Sequence, residues 1–126
     1  PLRLAEQYLI RAEAYCNLGN YSAGAADLAA LRNSRTLSGS VNVSVNESNW
    51  LDAISDERVR ELYMEGHRLH DLKRWNRGFK RETQSNAQTG FASTLEIKGG
   101  DYRFVWPIPQ HEIEAPGSSI KQNKGY

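Results

Sequence analysis

The histidines and carboxylates of residues 65–71 are the first candidates for chemistry in this sequence. His67 and His70 stand three residues apart, so both could face one metal ion on a helix, with Glu65 and Asp71 close by in sequence. Zinc hydrolases place a glutamate between two histidines four residues apart, and that order does not occur here. We therefore predict surface histidines beside a structural Asp71, with no metal site and no cofactor.

A basic stretch follows directly, and its composition resembles that of a nucleic-acid patch. It interleaves cations with aromatic rings that could stack on bases, namely Lys73, Arg74, Trp75, Arg77, Phe79, Lys80 and Arg81. Asp71 and Glu82 flank this stretch, and the formal net charge of the 126-residue chain is only +1. A solvated basic loop explains the same pattern, so we expect no nucleic-acid partner.

The residues that could act as catalysts lack activating partners in the sequence. There is no Gly-x-Ser-x-Gly elbow, no phosphate-binding glycine loop and no histidine partnered with Cys16, the single cysteine. Glu61 and Glu65 form a pair of carboxylates, but Arg58 and Arg68 would hold both ionised. That arrangement suits a structural role better than a general acid. We predict no catalytic residues and a protein that is not an enzyme.

Aromatic residues offer another candidate site, a surface on which sugar rings could stack. The four residues concerned are Trp50, Tyr102, Phe104 and Trp106. Aromatic side chains bury large apolar areas, and for Trp50 and Trp106 we expect a position in the core rather than in a ligand site. The sequence therefore leaves the ligand-binding residues unknown.

The central stretch, from Glu57 to Trp75, carries charges where a helix should carry apolar residues. At about 100° per residue, one helical face holds Leu51, Ile54, Leu62, Leu69 and Leu72. The same face holds Arg58, Glu61, Glu65 and Arg68, at steps of three or four residues. Because an unpaired buried charge costs several kcal/mol, we predict that these four side chains form a buried structural ion-pair network. A solvated charged face is the alternative, since Gly66 could end the helix and reset its phase.

Helical periodicity surrounds this stretch and predicts a mostly α-helical fold. Apolar residues at helical spacing, interrupted at Gly19, predict a helical pair over residues 1–35. Ser48 or Asn49 can cap a further long helix over residues 48–77. Residues 34–49 allow either a short edge strand or a flat loop. The glycines and prolines of residues 79–126 predict an irregular, loop-rich C-terminal segment.

The helical pair resembles the junction of a tetratricopeptide unit. Residues 5–21 follow the pattern A-E-x-Y-x-x-x-A-x-A-Y-x-x-L-G-x-Y, which ends at Tyr21. No second copy follows at a period of about 34 residues, although such units normally stack in about three copies. We therefore expect the neighbouring pairs in a preceding part of a longer protein.

Two motifs resemble the SusD/RagB-like family of outer-membrane nutrient-binding lipoproteins. The first is E-R-x-x-E-L-x-x-E-G-x-R-x-x-D-L-x-R-W, met by Glu57, Arg58, Glu61, Leu62, Glu65, Gly66, Arg68, Asp71, Leu72, Arg74 and Trp75. The second is PIPQHEI at residues 107–113 followed by QNKGY at residues 122–126, in the order of the family ending. Lys124 stands where that ending usually has proline, and Ala115 where asparagine usually precedes Pro116.

The resemblance implies that residues 1–126 are the C-terminal part of a SusD-like nutrient-binding domain. Family members are lipid-anchored at the cell surface of Gram-negative bacteria, where they bind glycans or, less often, peptides. They pass these ligands to a TonB-dependent, SusC-like transporter in the outer membrane. The resemblance thus implies a non-enzymatic binding component, attached to the membrane only through a lipid anchor on a preceding N-terminal part.

The other signature residues are Glu57, Asp71, Arg74 and Trp75, and in the family Arg74 and Trp75 would be structural. The family's ligand contacts come mostly from parts outside this chain, so no ligand residue is carried over. No run of eighteen apolar residues, which a membrane-spanning helix would need, occurs in the sequence.

The alternative to a SusD-like binding component is a free-standing tetratricopeptide-like protein-interaction module.

Overall fold

The computed structural model of the chain describes residues 3–81 and 95–126. Its helices are α1 (Leu4–Asn17), α2 (Tyr21–Asn33), α3 (Trp50–Glu61), α4 (His67–Arg74) and α5 (Gln110–Ile113), with strands β1 (Phe79–Lys80) and β2 (Glu96–Ile97) and a 3-10 helix at Tyr102–Phe104. This set of secondary-structure elements confirms the predicted mostly α-helical fold. The chain divides into two compact units, Pro1–Arg68 and Leu69–Tyr126. No helix in the described part of the chain is both long and apolar enough to cross a bilayer.

In the first unit, α1 and α2 form a helical pair as predicted for residues 1–35. Gly19 ends α1 with a φ of +77°, in the left-handed region that glycine adopts without strain. The Asn20 side chain then caps α2 by accepting a hydrogen bond from the Ala23 backbone N–H at 3.2 Å. A Cβ added to Gly24 would overlap Cys16 Sγ, so the two helices approach each other closely at this glycine.

The core of the first unit surrounds α1, which packs against both α2 and α3. Its buried apolar residues are Ala5, Leu9, Ala12 and Cys16 from α1, Leu28 and Leu31 from α2, and Ile54 and Leu62 from α3 and the residue after it. Burial raises the pKa of the Cys16 thiol above its ordinary value. The cysteine therefore contributes to the packing of α1 as a neutral, apolar side chain.

Residues 34–49 connect α2 to α3 as a loop, so the flat-loop alternative describes them. Val41, Val43 and Val45 are half-buried and alternate with exposed residues, but they pair with no strand in the part of the chain that the structure describes. The Val41 backbone N–H donates to Asn33 Oδ1 at 2.6 Å. This hydrogen bond holds the loop to the last residue of α2.

The signature segment forms two helices instead of the long helix predicted over residues 48–77. Helix α3 ends at Glu61 and α4 begins at His67. Between them, Met64 and Gly66 have φ values of +63° and +82°, which a right-handed helix cannot contain. The break resets the helical phase, and Leu69, which the continuous wheel placed on the buried face, is 40% exposed.

The second unit is built from short elements, as predicted for a loop-rich C-terminal segment. Strands β1 and β2 pair antiparallel, with Phe79 opposite Ile97 and Lys80 opposite Glu96. The predicted irregular segment over residues 79–126 includes residues 82–94, which lie outside the described residues. Helix α4 ends through Asn76, whose φ of +52° lets the Arg77 N–H reach the Leu72 carbonyl at 2.8 Å.

Side-chain hydrogen bonds fix the proline segment of the second unit to the end of the chain. The Ile108 backbone N–H donates to Gln122 Oε1 at 2.8 Å, and Gln122 Nε2 donates to the Ile108 carbonyl at 2.9 Å. Pro107 and Pro109 have no N–H, so this segment cannot form a regular strand ladder. The Gln122 side-chain amide therefore pairs with the Ile108 N–H and carbonyl in place of a neighbouring strand.

Two other residues of the tail, Asn123 and Tyr126, make similar hydrogen bonds. Asn123 Nδ2 donates to the Trp106 carbonyl at 2.7 Å, and the Tyr126 hydroxyl donates to the Val105 carbonyl at 2.9 Å. The Tyr126 ring also packs edge-on against Tyr102, with centroids 5.0 Å apart. The QNKGY ending is thus held mainly by polar side chains.

Candidate functional site

Two carboxylates of α3, those of Glu57 and Glu61, lie beneath arginines from α3 itself and from other parts of the first unit. The Glu57 side chain is only 6% exposed. Its Oε2 accepts a hydrogen bond from Arg32 Nε at 2.7 Å and one from Arg60 Nη1 at 3.1 Å. One nearly buried carboxylate therefore orients two guanidinium groups.

The Glu61 carboxylate, 7% exposed, is paired in a similar way. Arg35 binds it through two hydrogen bonds, Nε to Oε2 at 3.0 Å and Nη2 to Oε1 at 2.7 Å, and Arg3 Nη2 reaches Oε1 at 2.7 Å. The hydrogen bonds from Arg35 lower the pKa of Glu61 below its ordinary value, although burial acts in the opposite direction. Glu61 is consequently an ionised anchor for two cations.

These ion pairs border an open groove of about 550 Å³, which we name the arginine groove. It is lined by Arg32, Arg35, Thr36, Val41, Glu57, Arg60 and Glu61. The carboxylates are almost fully buried, whereas the arginine side chains are 27%, 55% and 61% exposed in chain order. The groove therefore presents guanidinium groups to solvent, held in place by the acids beneath them.

The four residues of the predicted ion-pair network occupy different environments. Arg58 is 6% exposed, and the Glu61 side chain is 7% exposed with the partners described above. Glu65 lies at the surface, where its carboxylate pairs with Arg3, and the exposed Arg68 donates from Nη1 to Ser55 Oγ at 2.8 Å. Arg3 brings Glu61 and Glu65 together. A network among all four side chains stays a prediction.

The signature residues of the second unit form a local cluster around Asp71. Arg74 Nε donates to the buried Asp71 carboxylate at 3.0 Å, and the Arg74 guanidinium carbon lies 4.3 Å from the Trp75 ring centroid. In the candidate nucleic-acid patch, Arg81 covers Phe79 in the same way, at 5.3 Å. Each ring thus has an arginine over one face, which leaves less of it for stacking on a base.

The remaining candidates are dispersed. His67 Nδ1 lies 3.7 Å from Glu6 Oε1 on α1, and His70 is exposed. Within residues 3–81 and 95–126, no group of three histidine, cysteine, aspartate or glutamate side chains could hold a metal ion. Among the candidate stacking residues, Phe104 is buried and Trp50 half-buried, but Trp106 is 78% exposed. The expectation that Trp106 lies in the core is therefore wrong for this structure.

The model of the SusD family matches residues 1–126. The chain belongs to the SusD family. It is 30% identical over 124 residues to the starch-binding protein SusD of Bacteroides thetaiotaomicron. That alignment covers 98% of this chain and 21% of the relative, so the chain spans about a fifth of the length of SusD. No solved structure matches the chain significantly.

For this member of the SusD family, sequence reasoning identified the acids of the site but missed their arginine partners. Helical spacing of three or four residues predicted ion-pair partners within the signature segment. The structure instead brings Arg32 from α2, Arg35 from just after α2 and Arg3 from just before α1. A signal was present in sequence: Arg32 and Arg35 stand three residues apart, as neighbours at the end of a helix. Only the packing of α2 near α3 shows which carboxylates they face.

Proposed function

We propose that this protein is a non-enzymatic binding component of a nutrient-uptake system, with a glycan as its ligand. The observation that carries this proposal is the SusD family match over residues 1–126. The relative with 30% identity is a starch-binding protein, which supports a carbohydrate ligand over a peptide. The match along the whole chain also favours this interpretation over a free-standing tetratricopeptide-like module.

The same family relationship supports the partner and the location in this proposal. The binding component works at the cell surface, on the outer membrane, and passes its ligand to a SusC-like, TonB-dependent transporter. A lipid anchor on a preceding N-terminal part attaches it to the membrane. Residues 1–126 contribute the C-terminal part of the binding domain, with the signature residues Glu57, Asp71, Arg74 and Trp75 in structural roles.

Calorimetric titration of the full-length protein with defined oligosaccharides tests the ligand. The panel contains maltoheptaose, prompted by the starch-binding relative, together with xylan, galactan and uronate oligomers of matched length. We expect saturable binding of at least one glycan and no release of shorter products during prolonged incubation. Binding of peptides alone, or hydrolysis of a bound glycan, would contradict the proposal.

Affinity purification from detergent-solubilised outer membranes tests the partner. We expect a TonB-dependent transporter to copurify with the tagged protein in near-equal amounts, while an abundant porin from the same membranes does not. Protease treatment of intact cells should remove the protein if it faces the exterior. A protein that purifies alone and survives this treatment would contradict the proposed assembly and location.

A further inference from the structure

The arginine groove has hydrogen-bond donors that its internal ion pairs do not use. Among the described residues, Arg32 donates to the groove acids only through Nε, and Arg60 only through Nη1. Each guanidinium carries five N–H donors in a planar fork, so most donors of Arg32 and Arg60 have no groove acid as a partner. The Arg60 side chain is 61% exposed and that of Arg32 27%, so Arg60 presents more of its fork to solvent. The buried Glu57 holds both groups in place and thus reduces the entropy cost of ordering these side chains when a ligand binds.

The charges of the groove favour an anionic ligand. Three arginines meet two glutamates, which leaves an excess of one positive charge. The two acids are at most 7% exposed, whereas the guanidinium groups of Arg35 and Arg60 belong to side chains that are more than half exposed. A ligand in the groove would therefore approach cations first, and a planar carboxylate matches the guanidinium fork with two parallel hydrogen bonds.

The size and lining of the groove suit a sugar better than a peptide side chain. Its volume of about 550 Å³ lies within the usual range of small-molecule sites, about 300–1,000 Å³. Val41 is the one apolar side chain among its lining residues, so it offers little for the apolar anchors that peptides normally use. Thr36 adds a hydroxyl whose oxygen can accept a hydrogen bond, because its proton is donated to the Arg32 carbonyl at 2.9 Å.

We propose that the arginine groove binds the carboxylate of a uronic acid residue in an anionic glycan. This inference rests on the proposed function and narrows its ligand to acidic sugars. Arg60 and Arg32 hold the carboxylate, while Thr36 contacts a sugar hydroxyl. The buried Glu57 acts as a positioning residue for the two arginines.

Titration of the full-length protein with trigalacturonate and with its carboxyl-reduced, neutral counterpart tests the inference, and a hyaluronan tetrasaccharide supplies glucuronate as a second source. We expect at least one of the acidic oligosaccharides to bind about tenfold or more tightly than the neutral trimer. Arg60→Gln should weaken that binding about tenfold or more, the effect of losing a hydrogen bond between charged groups. Arg60→Lys, which keeps the charge but loses the fork, should give an intermediate affinity.

The design separates folding from binding and this inference from the proposed function. Arg60→Gln leaves Glu57 paired with Arg32, so it should keep the thermal unfolding temperature of the parent, and Lys121→Gln removes an equal charge in the second unit as a control. Equal affinities for acidic and neutral trimers, with neutral glycans still bound, would overturn the acidic-sugar inference alone. If the parent protein binds none of the glycans, acidic or neutral, both proposals are overturned. Tighter binding of an acetylated triaspartate amide than of the uronates would also overturn the inference.

Discussion

Arg3, the residue before α1, donates hydrogen bonds to both the carboxylate and the backbone carbonyl of Glu61, the last residue of α3, at 2.7 Å and 3.1 Å. Carbonyls at a helix C-terminus lack intrahelical partners and carry a partial negative charge. A guanidinium group at this point therefore satisfies the end of α3 and pairs with its final side chain. One arginine thus joins the start of α1 to the end of α3.

Glu61→Ala should lower the free energy of unfolding by about 1.5–3 kcal/mol, the range for hydrogen bonds to charged groups. The larger penalty of about 3–5 kcal/mol for a stranded buried charge does not apply. The side chains of Arg3 and Arg35 are 35% and 55% exposed and can be hydrated once Glu61 is removed. Urea unfolding of the full-length protein measures the change.

Glu65→Ala is the matched control, because Glu65 also pairs with Arg3 but its side chain is 33% exposed. A surface ion pair of this kind contributes about 0–1 kcal/mol. Losses that are equally small, within about 0–1 kcal/mol for both variants, would show that Glu61 is effectively solvated. Equal and large losses would instead support the buried network predicted for Arg58, Glu61, Glu65 and Arg68.

Stability should fall in acid partly through Glu61. Because Arg35 lowers the folded-state pKa of this carboxyl below its ordinary value of 4.5, the unfolded chain binds a proton first as the pH falls. The contribution of Glu61 is therefore complete above about pH 4.5 and is lost as the pH falls through the lowered folded value. Glu61→Gln, which cannot titrate, should show a shallower loss in that window by urea unfolding.

Asp101 supplies a comparison for the same measurement. Its hydrogen bonds from Arg103 lower its pKa from 3.8 to about 2, so its contribution is lost only below about pH 3.8. Asp101→Asn should thus alter the slope between about pH 5 and pH 4 less than Glu61→Gln does. Parallel curves for the parent and Glu61→Gln throughout acid would contradict the lowered pKa of Glu61.

Gly24→Ala tests the close approach of α1 and α2. Alanine should favour the helix by about 1 kcal/mol over glycine. Its Cβ, however, would overlap Cys16 Sγ and lie 3.1 Å from the Ala12 carbonyl oxygen, and overpacking typically costs about 1–3 kcal/mol. We expect a net destabilisation in urea unfolding.

The double variant Cys16→Ala/Gly24→Ala checks the cause of that loss. Removing the sulfur should make the glycine substitution less costly than it is beside Cys16, which is a favourable coupling in a double-mutant cycle. If Gly24→Ala proves stabilising in the parent, the two helices do not approach as closely as described. Additive effects would place the strain at the Ala12 carbonyl instead of the sulfur.

The helical pair could be predicted from sequence because its signals are local. The apolar spacing of α1, the left-handed Gly19 and the capping Asn20 all act within a few residues. The break in the signature segment was only partly visible. Gly66 is a recognisable stop, but the positive φ of Met64 follows from the packing of the folded chain and not from any preference of methionine.

The arginine groove and the anchored tail could not be predicted for a different reason. Glu61 and Arg35 are 26 positions apart, and Gln122 and Ile108 are 14 apart. Contacts at such separations follow no helical or strand period, so a single sequence carries no pattern that pairs them. The sequence showed which charges needed partners, and the fold determined which partners they have.

Gln122→Ala should release the proline segment from the end of the chain. The substitution removes both hydrogen bonds to the half-buried Ile108, which should cost about 1–3 kcal/mol in unfolding free energy. The Ile108 amide, which in the parent donates to Oε1, should exchange with solvent about tenfold faster or more, measured by hydrogen exchange and NMR.

Gln122→Glu keeps the acceptor and loses the donor. It should therefore protect the Ile108 amide, while the Ile108 carbonyl loses its bond from Nε2. Lys121→Ala, one residue away, should change neither quantity. If the Ile108 amide exchanges equally fast in the parent and in Gln122→Ala, the glutamine does not anchor the segment, and the tail must be held through Asn123 and Tyr126 alone.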